Sequence, residues 1–422
     1  MNSGLKVAYF GLSHLGIVSA ISLASKHVRC IGIDLDSQLV SKLERQEWPI
    51  QEPDIEEAYN VAKDFISFSN ELTSLSECDI VYISQDVPTD DFGKSDLSGV
   101  ENLINFAAQN MPKEARIVIL CQVPPGFTRR MKKYHSNISY QVETLVFGQA
   151  FTRAISPERI IIGVDRPDIP LDANYAYTLE RFSCPILVMD YESAEFTKIS
   201  INAFLAASIS TTNSLNEIAK SIGANWGNVK QALQLDRRIG PYAYLKPGLG
   251  ISGGNIERDL QTLDELGPNI PGEISLFRTY LANSQRQKLW IIEVITNYVV
   301  SSNPKAKIGV LGVAYKENTH STKNAMALDI LSKFSNNIAG IYDPMAVLPI
   351  EFSAVRVFAS AQECVMASDA IVVMTPWNEF LKLDFNCLTR ERLESFIVID
   401  PYGIIDQNIV PKQLKVKSLT QI

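Results

Sequence analysis

The chain has 422 residues, of which 46% are hydrophobic and 20% charged, a composition typical of a folded globular protein and not of a disordered one. The 47 acidic residues exceed the 39 basic ones, and the resulting net charge of −8 argues against a nucleic-acid partner. No apolar run reaches the ~18–20 residues of a membrane span, and residues 1–6 carry no cleavable signal, so we expect no membrane contact and a cytoplasmic location.

Strand-like and helix-like segments alternate through the first part of the chain. Short apolar runs predict buried strands, and helical spacing follows most of them. The strand segments are 6–10, 28–33, 80–84, 117–120, 160–162 and 186–188, and the first helical segment is 15–25. This alternation predicts a doubly wound parallel sheet.

The middle of the chain has a different pattern. Residues 195–222 and 271–300 place apolar residues at helical spacing, which predicts two long helices. Strand–helix alternation then resumes, with strands predicted at 307–312, 338–342, 370–374 and 396–399. We therefore predict an α/β fold of two Rossmann-like doubly wound domains, residues 1–192 and 304–422, joined by a central helical domain, residues 193–303.

The six cysteines are widely separated and form no C-x-x-C pair. They are Cys30, Cys78, Cys121, Cys184, Cys364 and Cys387. Free buried thiols in a reducing compartment explain this spacing best, and we predict neither disulfides nor a metal site.

A glycine-rich turn follows the first strand. Gly11 and Gly16 occupy the first and third glycine positions of the dinucleotide-binding pattern G-x-G-x-x-G, but its second glycine is Ser13. Serine is small and its hydroxyl could itself donate to a phosphate, while the free amides of the helix start favour an anion. His14 and Leu15 complete the turn, and we expect His14 to be a loop residue over a cofactor and not a catalyst.

Asp34 ends the second strand, 18 residues after Gly16. A carboxylate at this place accepts both ribose hydroxyls of NAD and repels the 2′-phosphate of NADP. The turn and Asp34 therefore predict an NAD site. The alternative is a glycine turn of any other α/β protein with an incidental acidic residue.

Short motifs occur in one order along nearly the whole chain. In the first half they are WPIQEP (48–53), VPT (87–89), VPPG (123–126), ETLVFG (143–148) and PERIIIG (157–163). Further along they are EFTKISINAF (195–204), DRRIG (236–240), LGVAYK (311–316) and YDP (342–344). In this order they resemble the UDP-glucose/GDP-mannose dehydrogenase family of NAD-dependent nucleotide-sugar 6-dehydrogenases.

The resemblance implies roles for four side chains in alcohol oxidation. Lys198 would stabilise the developing alkoxide, and Asn202, one helical turn later, would donate a hydrogen bond or hold a water. Asp259 would position the water that acts as base, and Glu143 would take part in later acid–base steps. Without the resemblance Lys198 is an exposed helix lysine, Asn202 a capping or surface residue and Glu143 a loop carboxylate.

The resemblance also implies the binding residues and the setting. The cofactor contacts would be Gly11, Ser13, His14, Leu15, Gly16, Asp34, Val87, Pro88, Thr89, Gln122 and Lys323. The contacts to a UDP- or GDP-linked sugar would be Lys198, Arg238, Gly250, Gly253 and Lys316. Family members dimerise through the central helices and act in cell-surface polysaccharide or antibiotic sugar pathways, so a homodimer is expected.

One residue of the family's active-site loop is missing. The family loop reads G-F-G-G-S-C-F-x-K-D, and this chain reads GISGGNIERD over 250–259, which places Asn255 at the cysteine position. Because an amide cannot replace a thiolate as nucleophile, the family's second oxidation through a thioester is in question. Other departures are Gln122 for threonine, Phe147 for glutamate, His320 and Ser321 for an acidic pair, and Lys323 for arginine.

Three functions are compatible with these residues. The first, which we predict, is an NAD-dependent oxidoreductase that removes a single hydride from a nucleotide sugar and gives an aldehyde or ketone. The second is a complete 6-dehydrogenase that oxidises a hydrated aldehyde to a uronic acid without a covalent intermediate. The third is a catalytically silent homologue that binds nucleotide sugars.

Overall fold

The computed structural model describes residues 4–90, 95–267, 275–406 and 410–419. The chain divides into two compact units, Met1–Ile201 and Asn202–Ile422. Within the described residues no helix is long and apolar enough to cross a bilayer. Each unit is built around its own sheet.

The first unit contains an eight-stranded sheet in the order β3-β2-β1-β4-β5-β6-β7-β8. Its strands are β1 Lys6–Phe10, β2 Arg29–Ile33, β3 Ile66–Ser69, β4 Ile80–Ile83, β5 Arg116–Ile119, β6 Ile138–Gln141, β7 Ile160–Val164 and β8 Ile186–Asp190. All neighbouring strands are parallel except β6 and β7, which are antiparallel. The order reverses beside β1, where doubly wound sheets bind ligands at the carboxyl ends of their strands.

Helices cover both faces of this sheet. They are α1 His14–Ala24, α2 Ser37–Glu44, α3 Ile55–Ala62, α4 Ser98–Asn110, α5 Phe127–Met131, α6 Ala150–Ile155, α7 Ala173–Glu180 and the start of α8 Tyr191–Ser221. The central strands are apolar at nearly every position and buried on both faces. Helix α1 is also almost entirely buried, because both the sheet and α3 and α6 pack on it.

The second unit joins helices to a five-stranded parallel sheet. The helices are the rest of α8, α9 Trp226–Leu235, α10 Asn255–Leu266, α11 Leu276–Ile295, α12 Met326–Lys333, α13 Ala361–Met366 and α14 Arg390–Ser395. The strands are β9 Ile308–Leu311, β10 Ile338–Tyr342, β11 Ala370–Val373, β12 Ile397–Ile399 and β13 Lys415–Lys417. Their order is β10-β9-β11-β12-β13.

Two mainly parallel sheets, with a helical stretch between them along the chain, confirm the predicted fold class. The long helix expected over 271–300 begins at Leu276 and ends in a π-helical turn, Thr296–Val300, while residues 271–274 lie outside the described residues. Strands β3, β6 and β13 were not predicted. The domain boundaries at 192 and 303 stay a prediction.

The thiols are less uniform than expected. All six cysteines are free, and four are buried, but Cys184 is partly exposed and Cys387 is exposed. The expectation of buried thiols is therefore wrong for Cys387. Its sulfur lies in a surface loop, 3.1 Å from the Asp384 carbonyl oxygen and 3.2 Å from the Met366 sulfur.

Candidate active site

The two glycines of the turn after β1 are required by its geometry. Gly11 has a φ of +95°, and its amide donates to the Ile33 carbonyl over 2.9 Å. A Cβ on Gly16 would lie 2.1 Å from the Gly11 carbonyl oxygen, so only glycine lets α1 approach the turn this closely. These are the two structural functions that the dinucleotide pattern assigns to its first and third glycines.

Ser13 occupies the second glycine position without strain, because its φ is −73°. Its hydroxyl donates to the Ser84 carbonyl over 3.0 Å and accepts from the Asp86 amide over 2.9 Å. The hydroxyl proton is therefore used inside the protein, which corrects the expectation that it donates to a phosphate. Ser13 makes no side-chain cap on α1, so the amides of the first turn keep the arrangement that binds a diphosphate.

Asp34 fits the ribose of a dinucleotide. Its Oδ2 accepts from the Leu12 amide over 2.7 Å, and its Oδ1 accepts from the Asp36 amide over 2.9 Å. A carboxylate has about four acceptor positions, so these two bonds leave capacity for a ribose diol. The carboxylate both holds the glycine turn and presents acceptors at the carboxyl end of β2.

Asp343 has the same topological place in the second sheet but a different role. Gly312 follows β9 with a φ of +87°, and Asp343 follows β10, as Gly11 and Asp34 follow β1 and β2. Five donors occupy the Asp343 carboxylate: the amides of Val313, Ala314, Met345 and Ala346 and the indole of Trp377. With its acceptor positions filled, Asp343 cannot also bind a ribose diol. Of these two aspartates, Asp34 alone fits that role.

Other predicted cofactor contacts lie at the same edge of the first sheet. Val87, Pro88 and Thr89 follow β4, and Gln122 follows β5. Since β1, β2, β4 and β5 are parallel neighbours, the segments after them meet at one edge. The Pro88 carbonyl accepts a hydrogen bond from the Asp96 amide over 2.9 Å.

His14 belongs to the first turn of α1, which corrects its expected place in a loop. Its Nε2 donates to Glu52 Oε1 over 2.8 Å, and its ring lies 4.4 Å from the Phe147 ring. The Leu15 side chain that follows is buried in the core, so only its backbone can face a ligand.

Glu52 is a buried carboxylate that sequence analysis did not single out. It also accepts from the amides of Gly148 over 2.9 Å and Ala150 over 3.1 Å. Burial works to raise its pKa, but the bonds from His14 and the two amides outweigh burial and hold the pKa below its usual value. The signal available in the sequence was the single acidic residue of the motif 48–53.

Glu143 and Lys198 are close enough to interact electrostatically. The Glu143 Oε2 accepts from the Leu145 amide over 2.6 Å. Burial raises the pKa of the Glu143 carboxyl above its usual value, while the Lys198 charge acts in the opposite direction. A carboxyl with a raised pKa beside an ammonium group suits proton transfer.

Glu195 anchors the helix that carries Lys198, and sequence analysis did not assign it a role. Its Oε2 accepts from the Gly126 amide over 2.5 Å and its Oε1 from the Thr128 amide over 2.7 Å. The side chain is fully buried. The start of α8 is thereby tied to the VPPG turn after β5.

Asn202 and Asp259 form a buried pair in the second unit. The Asn202 Nδ2 donates to Asp259 Oδ2 over 2.5 Å, and the Arg258 Nε lies 3.4 Å from Asp259 Oδ1. All three residues are buried. The simpler interpretation of Asn202 as a surface amide is therefore wrong, and Arg258 is a further member of this cluster that the sequence analysis did not predict.

A loop with three glycines in the left-handed backbone region leads to Asn255. Gly250, Gly253 and Gly254 all have φ near +89°, at +89°, +88° and +90°. A Cβ on Gly250 would come 2.7 Å from the Ser284 hydroxyl, whose oxygen accepts the Ile251 amide over 2.8 Å. Asn255 then opens α10 and is exposed.

The loop after β9 packs against this glycine loop. A Cβ on Gly253 would meet the Tyr315 ring at 2.6 Å, and one on Gly254 would meet Lys323 Cε at 3.6 Å. Lys316 Nζ lies 5.8 Å from the centre of the Tyr315 ring. The structure therefore brings Lys316, Lys323 and the loop that precedes Asn255 together within the second unit.

Glu257 joins the same segments. Its carboxylate pairs with Lys288 Nζ over 3.1 Å and accepts from Asn324 Nδ2 over 2.9 Å. Asn324 has a left-handed φ of +53°.

Arg238, by contrast, is 88% exposed and pairs with Asp236 in its own turn over 2.7 Å. Its predicted contact with a substrate stays a prediction, as do the other predicted contacts.

Comparison with known proteins agrees with this geometry. Models of three domains of the UDP-glucose/GDP-mannose dehydrogenase family match the chain: the NAD binding domain at residues 5–177, the central domain at 192–283 and the UDP binding domain at 309–407. The UDP-glucose 6-dehydrogenase of Rickettsia typhi is 26% identical over 427 residues, which cover 97% of each protein.

Two solved structures share the fold. The UDP-glucose dehydrogenase of Pyrobaculum islandicum has a TM-score of 0.85 and 22% identity, with 100% of this chain and 99% of that chain covered. The UDP-D-ManNAc dehydrogenase of Pyrococcus horikoshii has a TM-score of 0.82 and 22% identity, with 99% of each covered. Because all three domain models match in order, this chain belongs to the UDP-glucose/GDP-mannose dehydrogenase family of NAD-dependent nucleotide-sugar dehydrogenases.

Proposed function

We propose that this protein oxidises a nucleotide sugar by a single hydride transfer and releases an aldehyde or ketone. The observation that carries the proposal is the side chain at the start of α10. Asn255 stands where the family loop has its cysteine, while the buried Asn202–Asp259 pair is retained. The chain thus keeps groups suited to removing a first hydride and lacks the nucleophile for a second.

The residues have defined tasks in that first oxidation. Bound NAD supplies the hydride acceptor. The Asp259 carboxylate, held by Asn202, positions the water that takes the hydroxyl proton. Lys198 stabilises the negative charge that develops on the oxygen. One two-electron oxidation therefore gives one carbonyl group, one reduced cofactor and one proton.

A second oxidation by the family route requires a covalent adduct. The aldehyde carbon must be attacked by a thiolate, and a carboxamide is not nucleophilic enough to replace it. In the described part of the second unit the cysteines are Cys364, which is buried beneath the sheet, and Cys387, which contacts Met366 and Asp384. Neither belongs to the loop 250–259.

A complete 6-dehydrogenase is the second candidate, and Glu143 favours it. Its carboxyl has a raised pKa and lies beside Lys198, so it is suited to remove a proton from a hydrated aldehyde. Hydride loss from that hydrate would give the acid without a thioester. The product therefore separates the two candidates.

The test is a screen of UDP- and GDP-linked sugars with NAD, followed by mass measurement of the product. The proposal expects a carbonyl product that is two hydrogens lighter than the substrate. A uronic acid product would overturn it in favour of the second candidate. The screen also identifies the nucleotide and the sugar.

We further propose that the protein is a homodimer joined through α8. One face of this helix carries Phe204, Leu215 and Ile218 at the spacing of a helix–helix seam, and Ile222, just after the helix ends, continues it; Phe204 is 77% and Ile222 72% exposed. Burial of such a stripe against a second copy removes apolar surface from water. We also propose that the chain has three domains, with boundaries at 1–192, 193–303 and 304–422.

A further inference from the structure

Glu52 lies where three segments of the first unit meet. Its side chain is 0% exposed, and it accepts hydrogen bonds from His14 at the start of α1 and from Gly148 and Ala150 in the segment after β6. We propose that Glu52 and His14 are positioning residues that clamp the diphosphate-binding turn 11–16 to the loop 143–150, which carries Glu143. The inference rests on the proposed function, because it gives that turn and Glu143 their tasks.

The bonding of Glu52 shows that the carboxylate does more than fill space. An ionised carboxylate without water is costly unless its acceptor positions are occupied, and here both oxygens are used. The donors come from a side chain of one segment and the backbone of another. Removing the carboxylate therefore breaks the connection between the two segments and not only a local cap.

His14 connects this carboxylate to the turn. It is the first residue of α1, so its backbone belongs to the helix end that faces a diphosphate, while its ring bonds to Glu52. The same ring packs on Phe147 with 4.4 Å between the ring centres. Phe147 stands where the family has a glutamate, so this ring contact is a feature of the present chain.

The other end of the clamp fixes the segment that contains Glu143. Its first part is held by the Glu143–Leu145 bond and by Arg153 Nε, which donates to the Thr144 carbonyl over 2.9 Å. Its last part is held by Glu52 at Gly148 and Ala150. Loss of the clamp frees one end of the loop, and both cofactor affinity and turnover should fall.

The test uses full-length His14→Leu, His14→Gln and Glu52→Gln proteins, with NAD affinity measured by calorimetry and kcat and KM measured with the sugar found by the screen. A hydrogen bond to a charged group contributes about 1.5–3 kcal/mol, so we expect His14→Leu and Glu52→Gln to weaken NAD binding about 10- to 100-fold. His14→Gln keeps a donor for Glu52 and should recover most of the lost affinity. The double variant His14→Leu/Glu52→Gln should be no weaker than the worse single variant.

Glu47→Gln is the matched control, because Glu47 is an exposed carboxylate of the same segment. Its NAD affinity should equal that of the wild type. A folded His14→Leu protein with wild-type NAD affinity and kcat would overturn the clamp. Because this variant changes a partly exposed ring, it tests the clamp even where Glu52→Gln fails to fold. A wild-type protein that does not bind NAD would instead overturn the proposed function.

Discussion

The Asn202 amide donates to the Asp259 carboxylate over 2.5 Å inside a buried cluster. The bond joins α8 to α10, the helix that begins with Asn255. It fixes the orientation of the Asp259 carboxylate through a neutral donor. In the mechanism that we propose, this carboxylate positions the water that takes the hydroxyl proton.

Asn202→Ala should lower kcat about 100-fold, because general-base catalysis contributes ~10²–10⁴-fold and depends on a positioned carboxylate. Steady-state kinetics with the best substrate measures the effect. Asn102→Ala, on an exposed face of α4, is the control and should leave kcat unchanged. An unchanged kcat in Asn202→Ala would remove Asp259 from the mechanism.

Asp34 and Asp343 should respond oppositely to replacement by alanine. Asp34→Ala should weaken NAD binding about 10- to 100-fold, because it removes the acceptors proposed for the ribose. Asp343→Ala leaves five donors without their acceptor, and should lower the free energy of unfolding by about 2–4 kcal/mol. Calorimetric titration and denaturant unfolding measure the two effects. Equal loss of NAD affinity in both variants would contradict the assignment.

Glu143 should make stability depend on pH. Burial raises its pKa in the folded protein, so its stabilising contribution is complete below the ordinary carboxyl pKa of about 4.3 and is lost as pH rises through the raised value. The free energy of unfolding of the wild type, relative to Glu143→Gln, should therefore fall between acidic and neutral pH. Denaturant titrations across this range measure the difference.

Glu158→Gln controls for loss of one negative charge, since Glu158 is an exposed carboxylate of the same unit. A wild type that gains stability over Glu143→Gln as pH rises would show that the pKa of Glu143 is lowered and not raised.

The stripe on α8 should determine the oligomeric state. Ile218→Glu introduces a charge into the proposed apolar seam and should shift the protein from dimer to monomer in sedimentation or light-scattering measurements. Leu235→Glu is the matched control, because Leu235 is equally apolar and more exposed but lies on α9. Dissociation by both variants, or by neither, would argue against this seam.

The strongest predictions came from buried strands and from chain-wide motifs. Strand β4 is apolar at every position and β1 and β5 at every position after the first, and a strand buried on both faces leaves that pattern. Strand β3 has the sequence ISFS and β6 the sequence ISYQ, and both mix polar and apolar residues too evenly to be recognised. Their pairing is set by neighbouring strands, which sequence spacing does not show.

The site was predictable where one residue type has one geometric function. Gly11, Gly16 and Asp34 follow such a pattern. Partners that come from distant segments follow no such pattern. Glu52 bonds to His14, 38 positions before it, and to Gly148, 96 positions after it. The Ser13 hydroxyl likewise finds its acceptor 71 residues along the chain. Only the folded structure shows such pairings.

The most direct test of the account is the number of NADH molecules formed for each nucleotide sugar consumed, measured to completion with the wild type. We predict one NADH per sugar for the wild type, because Asn255 cannot form the adduct that a second oxidation needs. Two NADH per sugar with the wild type, together with a uronic acid product, would contradict the central claim.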